Sequence, residues 1–333
     1  MPARRRLELR EAGRQIAAAS LAAGRTARRA GAEPAPERRA AGFDPKTRNA
    51  RLARWFAPHV RRELEELRHR IEAVRADDAE LGDGLLAALS AILYKVSSRA
   101  SDTDATWVER HIARGNPTRL FAQRVELLVA GLDDLARTPA PPPRVLEGDA
   151  RELASLVGAR SAWAVITSPP YAGTYDYAEH QRLRFDFLGL RHRAMDAGEL
   201  GARRGFDADA RRAHAQWRAG LTEVLTAIAA VLAPGRPAAL VIGDSLAAGR
   251  AVYALDELAA CGDGVLELVG AASQARPQLG ALERAAFAAR PKQEHVVLLR
   301  AVGDDARPSR AAGRTPPSTE AAAARGPRPP RRR

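Results

Sequence analysis

Apolar positions recur along this chain with two different periods. Residues 3–30 alternate charged and alanine positions around a few anchors, Leu7, Leu9, Ile16 and Leu21, and predict an amphipathic helix. Residues 31–42 contain Pro34 and Pro36 and read as a linker. From 48 to 74 the helical spacing returns. Leu52, Trp55 and Phe56 precede Pro58, and Val60, Leu64, Leu67, Ile71 and Val74 follow at intervals of three and four. Residues 83–98 and 120–135 predict two further apolar helices. The first 137 residues therefore read as all-helical.

After the proline-rich stretch 138–143 the pattern changes to short apolar runs separated by helical segments. Runs at 144–149, 162–167, 237–242, 264–270 and 294–300 predict strands; helices are expected from 151 and at 178–190, 208–232 and 249–261. Such alternation predicts a mostly parallel, doubly wound α/β sheet. Beyond Gly303, Pro, Arg, Ala and Ser dominate, which predicts disorder. The expected units are a basic helix and linker (1–42), a helical insert (43–137), an α/β core (138–303) and a basic tail (304–333).

Charge changes this picture less than its total suggests. Of the net +13, residues 1–42 carry +6 and residues 301–333 carry +5, so the body is nearly balanced. Terminal basicity has two readings, solvated ends or a salt-sensitive attraction to nucleic acid. No long uncharged apolar run predicts a membrane span, and no secretory signal opens the chain. A cytoplasmic protein is the plain expectation. The single cysteine, Cys261, excludes an internal disulfide. The seven histidines show no metal spacing, so no metal is expected.

The most specific chemistry lies at 167–171, Thr-Ser-Pro-Pro-Tyr, at the carboxyl end of an expected buried strand. Ligands of open α/β sheets bind just beyond such strand ends. Two prolines stiffen the backbone and hold its carbonyls in place. Ser168 Oγ and the Pro169 carbonyl suit a planar group bearing amino hydrogens. An exocyclic base amine is a poor nucleophile, because its lone pair is delocalised into the ring. Acceptors on both N–H bonds help that nitrogen become tetrahedral. Tyr171 is placed to stack on an extruded base.

This stretch resembles the catalytic motif of the S-adenosylmethionine-dependent DNA amino-methyltransferases. Its serine form is most similar to the cytosine-N4 branch; Asp or Asn is more usual in adenine-N6 enzymes. Residues 172–180 with Arg182 and Arg184, residues 292–299, and residues 93–97 with Arg99 and 101–103 are also similar to one bacterial group of these enzymes. The resemblance spans roughly 45–300 and implies a Rossmann-like methyltransferase sheet of order 3-2-1-4-5-7-6 behind an N-terminal helical region. It implies S-adenosyl-L-methionine as methyl donor and double-stranded DNA as partner, with a restriction endonuclease as a companion. Ser168, Pro169, Pro170 and Tyr171 take the catalytic positions, and Thr167 and Asp149 the cofactor side. Tyr175, Asp176 and Tyr177 are substrate candidates. Asp149 serves equally as a helix cap, and Tyr175, Asp176 and Tyr177 as helix-capping and packing residues. Arg99, Ser101 and Asp102 either contact DNA or end a helix. His180 and Arg184 face phosphate or solvent, and Trp55, Phe56 and Trp217 are simplest as core.

The family's glycine loop, Phe-x-Gly-x-Gly after a first strand, has no match. Gly82-Asp83-Gly84, Gly243-Asp244-Ser245 and Gly262-Asp263-Gly264 all lack the context. Strands 144–148 and 162–167 correspond to the family's third and fourth, so its first two strands are expected to be missing. Three functions follow: a cytosine-N4 DNA methyltransferase, an adenine-N6 DNA or RNA methyltransferase, or an inactive remnant or subunit completed by a separate polypeptide that supplies the glycine loop.

Overall fold

The two hydrophobic periods separate in space into a helical core and an α/β core. The computed structural model describes residues 1–30, 51–101, 106–138 and 140–302. The linker expected at 31–42, Asp102 and the tail 304–333 lie outside the described residues.

The helical core is built from α1 (Ala3–Ala30), α2 (Pro58–Asp77), α3 (Ala79–Ser90) and α4 (Asn116–Leu135). Pro58 opens α2, where its missing N–H costs nothing, and Val60, Leu64, Leu67 and Ile71 form its buried stripe. Leu9, Ile16 and Ala17 of α1 join that core with Leu85, Leu89, Phe121, Val125 and Val129. Leu7, an expected anchor, is 60% exposed. Asp78 caps α3 by accepting from the Leu81 amide at 3.1 Å. The start of α4 is capped from outside. Glu63 on α2 accepts from the Gly115 and Thr118 amides at 2.9 and 3.0 Å and from the Thr118 hydroxyl at 2.6 Å.

The arginines of α1 are not free charges. Arg5 holds Asp78 through two bonds of 2.6 and 2.7 Å, Arg6 holds Asp133 at 2.5 Å, and Arg10 and Arg14 share Glu126. Part of the amino-terminal basicity is thus matched by carboxylates on α3, α4 and the turn before α3. The expected 83–98 helix instead ends at Ser90, and a 3-10 turn at Tyr94–Val96 follows.

The α/β core carries a four-stranded sheet of β1 (Val165–Thr167), β2 (Pro237–Gly243), β5 (Leu266–Ala275) and β6 (Gln293–Ala301), in the order β1-β2-β6-β5. β1 runs parallel to β2, whereas β6 is antiparallel to both β2 and β5. A hairpin of β3 (Ser245–Ala247) and β4 (Arg250–Val252) stands beside the sheet and was not visible in the sequence pattern. Helices α5 (Leu153–Val157), α6 (Tyr177–His180), α7 (Arg182–Leu188), α8 (Arg193–Gly198) and α9 (Arg203–Ala208) are short. The long α10 (Ala210–Val231) and α11 (Ala254–Gly262) pack Leu221, Leu225, Ile228 and Leu258 against Ala238, Leu240, Ile242, Val297 and Leu299 on one sheet face. A last short helix, α12 (Ala281–Ala286), lies between β5 and β6.

The opposite face differs. Ile166 is 83% exposed and Val296 55%, with Val241 and Leu298 also open. Register puts Ile166, Ala239 and Leu298 in one row and Val241 beside Val296 in the next. β1 has β2 on one side, and among the described residues no strand lies on the other.

The strand expected at 144–149 does not form. Val145 is 90% exposed and the stretch joins no ladder. Two apolar residues cannot hold a strand that has no neighbour to pair with. The sequence stretch after it folds as expected, through a 3-10 turn at Ala150–Glu152 into α5.

Candidate functional site

β1 is short, but its end is fixed. The Ala162 amide donates to Val231 and the Ala233 amide to Ala162, which ties the strand entrance to the end of α10. Thr167 lies opposite Leu240 in the parallel ladder. The chain then leaves the sheet through Ser168, which is exposed, and Pro169, which is buried.

Four contacts set the shape of this exit. Trp217 Nε1, on α10, donates to the Pro170 carbonyl at 3.0 Å. The Tyr171 hydroxyl meets Glu294 Oε1 at 3.1 Å, and Glu294 Oε2 accepts from Arg276 at 2.6 Å. The Tyr171 ring lies directly over Gly243 at the end of β2. A Cβ there would stand 3.0 Å from the ring's Cε2. Gly201, at φ +75°, brings a loop under the Tyr171 carbonyl and the Trp217 ring, and a Cβ there would come within 2.8 Å of Trp217. Burial holds the Tyr171 phenol above its usual range and the nearby Glu294 carboxylate adds to this, while a hydrogen bond with Ser168 pulls the other way. Ser168, the Tyr171 hydroxyl, Glu294 and Arg276 thus form a polar chain beside the strand end.

Trp217 thus occupies the Pro170 carbonyl, while Ser168 at the start of the exit stays exposed. Trp217 is buried, as a core residue should be, yet its N–H has this second use. A tryptophan on an apolar helical stripe gives no signal of that in sequence.

Tyr175, Asp176 and Tyr177 follow closely. The tyrosine rings lie 5.4 Å apart and are 37% and 41% exposed, so both remain open to a ligand. Asp176 accepts from the Arg204 amide and guanidinium, each at 3.1 Å. The start of α6 is capped by Glu199, which accepts from the Tyr177 amide. Glu199 in turn pairs with Arg204 at 2.7 Å. Sequence reasoning missed Glu199 and Arg204, which lie more than twenty residues along the chain from the helix start they brace.

Asp149 behaves as a cap. Its carboxylate accepts from the Arg151 amide at 2.9 Å and pairs with the Arg151 guanidinium at 2.9 and 2.5 Å. Those bonds hold its pKa down to about 2. Asp244, after β2, is a structural clamp. It accepts from the Ala254 and Gln293 amides at 2.8 and 3.0 Å and joins β2, α11 and β6.

Of the remaining candidates Arg99 is buried, and Ser101, His180 and Arg184 are half-buried. Arg99 is 1% exposed, lying 5.3 Å from the Trp55 ring and 5.9 Å from that of Tyr94, so it does not present itself to a phosphate. Arg184 also lies over Tyr94, at 4.8 Å, and the Tyr94 hydroxyl donates to the His180 carbonyl. Trp55 and Phe56 are core, as expected. Among the described residues no group of His, Cys, Asp and Glu is placed to hold a metal, and no helix is long and apolar enough to cross a membrane.

No protein-family model matches this chain, and no curated protein matches it. Solved structures do match part of it. A candidate DNA modification methylase of Thermus thermophilus, in its selenomethionine form, aligns at 19% identity over 49% of this chain and 54% of that one, with a TM-score of 0.28. A second structure of the same protein aligns at 20% identity, 49% and 56% coverage, and TM-score 0.26. A third, in complex with S-adenosyl-L-methionine, aligns at 22% identity, 49% and 57% coverage, and TM-score 0.26. The chain thus spans just over half the length of these neighbours.

Proposed function

We propose that this chain carries the amine-acceptor half of a DNA amino-methyltransferase that uses S-adenosyl-L-methionine and acts on the N4 amine of cytosine. The observation that carries the reading is the braced Thr167–Tyr171 exit at the carboxyl end of a parallel strand. The strand order supports it: β1-β2-β6-β5, with its antiparallel end, corresponds to the 4-5-7-6 part of the family's sheet.

In this reading the Ser168 hydroxyl and the Pro169 carbonyl accept the two amine hydrogens and hold the nitrogen for in-line attack. Catalysis comes from positioning, which a stiff Pro-Pro backbone and the Trp217 bond provide in advance. Tyr171 stacks on the extruded base, and Tyr175, Asp176 and Tyr177 contact its flank. When bound, S-adenosyl-L-methionine supplies an electrophilic sulfonium methyl.

The described residues do not by themselves fit that donor. Asp149 already satisfies its carboxylate with Arg151, and among the described residues no strand pairs with the outer edge of β1. Thr167 and Asp149 belong to the cofactor side only after a further element docks against this edge. The apolar face formed by Ile166, Val241, Val296 and Leu298 favours such docking. We assign it to a polypeptide segment carrying the glycine loop. Serine at 168 favours cytosine-N4 over adenine-N6, and structured RNA offers the same amines.

Labelled methyl transfer tests the reading, with the chain and the glycine-loop polypeptide supplied together. N4-methylcytosine in duplex DNA is expected. Label in tRNA alone would shift the acceptor to RNA, and no label in any nucleic acid would overturn the function.

A further inference from the structure

The segment joining β5 to β6 differs from the rest of the surface. Residues 276–292 hold Arg276, Arg284, Arg290 and Lys292 against one acid, Glu283. Between these cations Leu279 is 88% exposed and Leu282 73% exposed. Single exposed leucines are ordinary; two on one short basic segment, held rigidly, are not.

The rigidity comes from both flanks. The Leu279 amide donates to Glu283 Oε2 at 2.7 Å, and Glu283 Oε1 accepts from Lys292 at 2.6 Å. Phe287, 2% exposed, meets the Tyr253 ring edge-on at 5.7 Å, and Arg290 lies 3.4 Å over that same ring. Arg290 also pairs with Asp256 on α11 at 2.5 Å.

The segment stands next to the strand exit. Leu282 and Lys292 line a cavity of about 430 Å³ together with Gly173, Thr174, Arg203 and Leu246. Gly173 follows Tyr171 by two residues, and Lys292 precedes Glu294, the partner of the Tyr171 hydroxyl, by two.

We propose that Leu279 and Leu282 form an apolar wedge that enters a DNA duplex and fills the gap left by the base turned out towards Ser168. The inference rests on the acceptor reading above and names how that acceptor is opened. Extruding a base breaks its stacking on both neighbours, and an apolar side chain inserted between base steps replaces part of that contact. Arg276, Arg290 and Lys292 are engaged by Glu294, Asp256 and Glu283, so exposed Arg284 is the cation of this segment placed to meet a phosphate beside the opening.

The test uses the full chain, plasmid DNA and chloroacetaldehyde, which modifies cytosine and adenine only where they are unpaired. Wild type is expected to bind the plasmid and to produce recurrent modified sites. The double variant Leu279→Ser/Leu282→Ser should still bind within about threefold, since the phosphate contacts remain, while modification falls about tenfold or more. A duplex with a single unpaired cytosine should restore equal binding of variant and wild type. Both leucines are exposed, so the variant should fold; circular dichroism and an Arg284→Gln variant, which weakens binding without abolishing modification, check this. Equal modification by wild type and double variant overturns the wedge and leaves the acceptor reading intact. Binding without any modified site does the same. Failure of wild type to bind duplex DNA, or capture of structured RNA or protein instead, overturns both.

Discussion

At the residue scale, the candidate site divides into exposed groups and groups that brace them. Ser168 is exposed and makes no fold-determining contact beyond its hydrogen bond with Tyr171. Ser168→Ala should therefore change unfolding free energy by less than about 0.5 kcal/mol. Methyl transfer should fall by about 10²-fold or more, because an acceptor on the amine acts mainly in the transition state. Denaturation and single-turnover rates on the same samples would separate the two effects. Trp217 is the converse case. Trp217→Phe keeps a ring in the core but frees the Pro170 carbonyl, and should cost about 1–3 kcal/mol of stability. Turnover should drop while the Michaelis constant for DNA stays put, since the loss falls on positioning rather than on contact with the duplex. Tyr171 stood out in the sequence as a candidate; its packing on Gly243 and its bond to Glu294 did not, because those residues lie 72 and 123 positions away and meet it only across the sheet.

At the element scale, close approach explains a glycine that resembled part of a loop. Gly82 lies in α3 against α2, and a Cβ there would sit 2.3 Å from the Arg75 Cβ. Gly82→Ala should push the two helices apart and cost about 1–3 kcal/mol, despite alanine's better helix propensity. Urea denaturation would show a lowered midpoint; a raised one would contradict the packing. Most elements were readable from their periods, as at 58–77, 210–231 and 237–243, where apolar spacing and burial agree. The misreadings share a cause. The 144–149 run has strand-like residues but no neighbouring strand among the described residues, and the 83–98 run is so largely apolar that its period did not mark the break at Ser90. The β3–β4 hairpin turns on Ala248 and Gly249, both left-handed at φ 47° and 78°. Alanine is a poor resident of such a turn and gave no warning of it.

At the scale of the whole molecule, electrostatics and the open sheet edge have measurable effects. Hydrogen bonds from Arg5 to Asp78, and from Arg151 to Asp149, hold both carboxyls at a pKa of about 2. A carboxyl depressed on folding stabilises the native state above its unfolded value, and that stabilisation is lost as pH falls through the folded value. Thermal midpoints should thus decline as pH drops from about 4 to about 2, and Asp78→Asn should flatten that decline. The edge at β1 makes a separate prediction. Ile166→Lys should leave the fold intact and reduce self-association in sedimentation velocity, because a charge on an edge strand blocks pairing with another chain. One more feature joins the two cores. The chain leaving Tyr171 enters α7 eleven residues later, and Leu183 and Phe187 of α7 are buried among the side chains of the helical core. The strand exit is thus anchored to the sheet at one end and to the helices at the other. Neither body can melt without slackening that span, so loosening of the α2–α4 packing should reach the Ser168 loop as added backbone freedom, and local fluctuation at the strand exit should report the stability of the helical core.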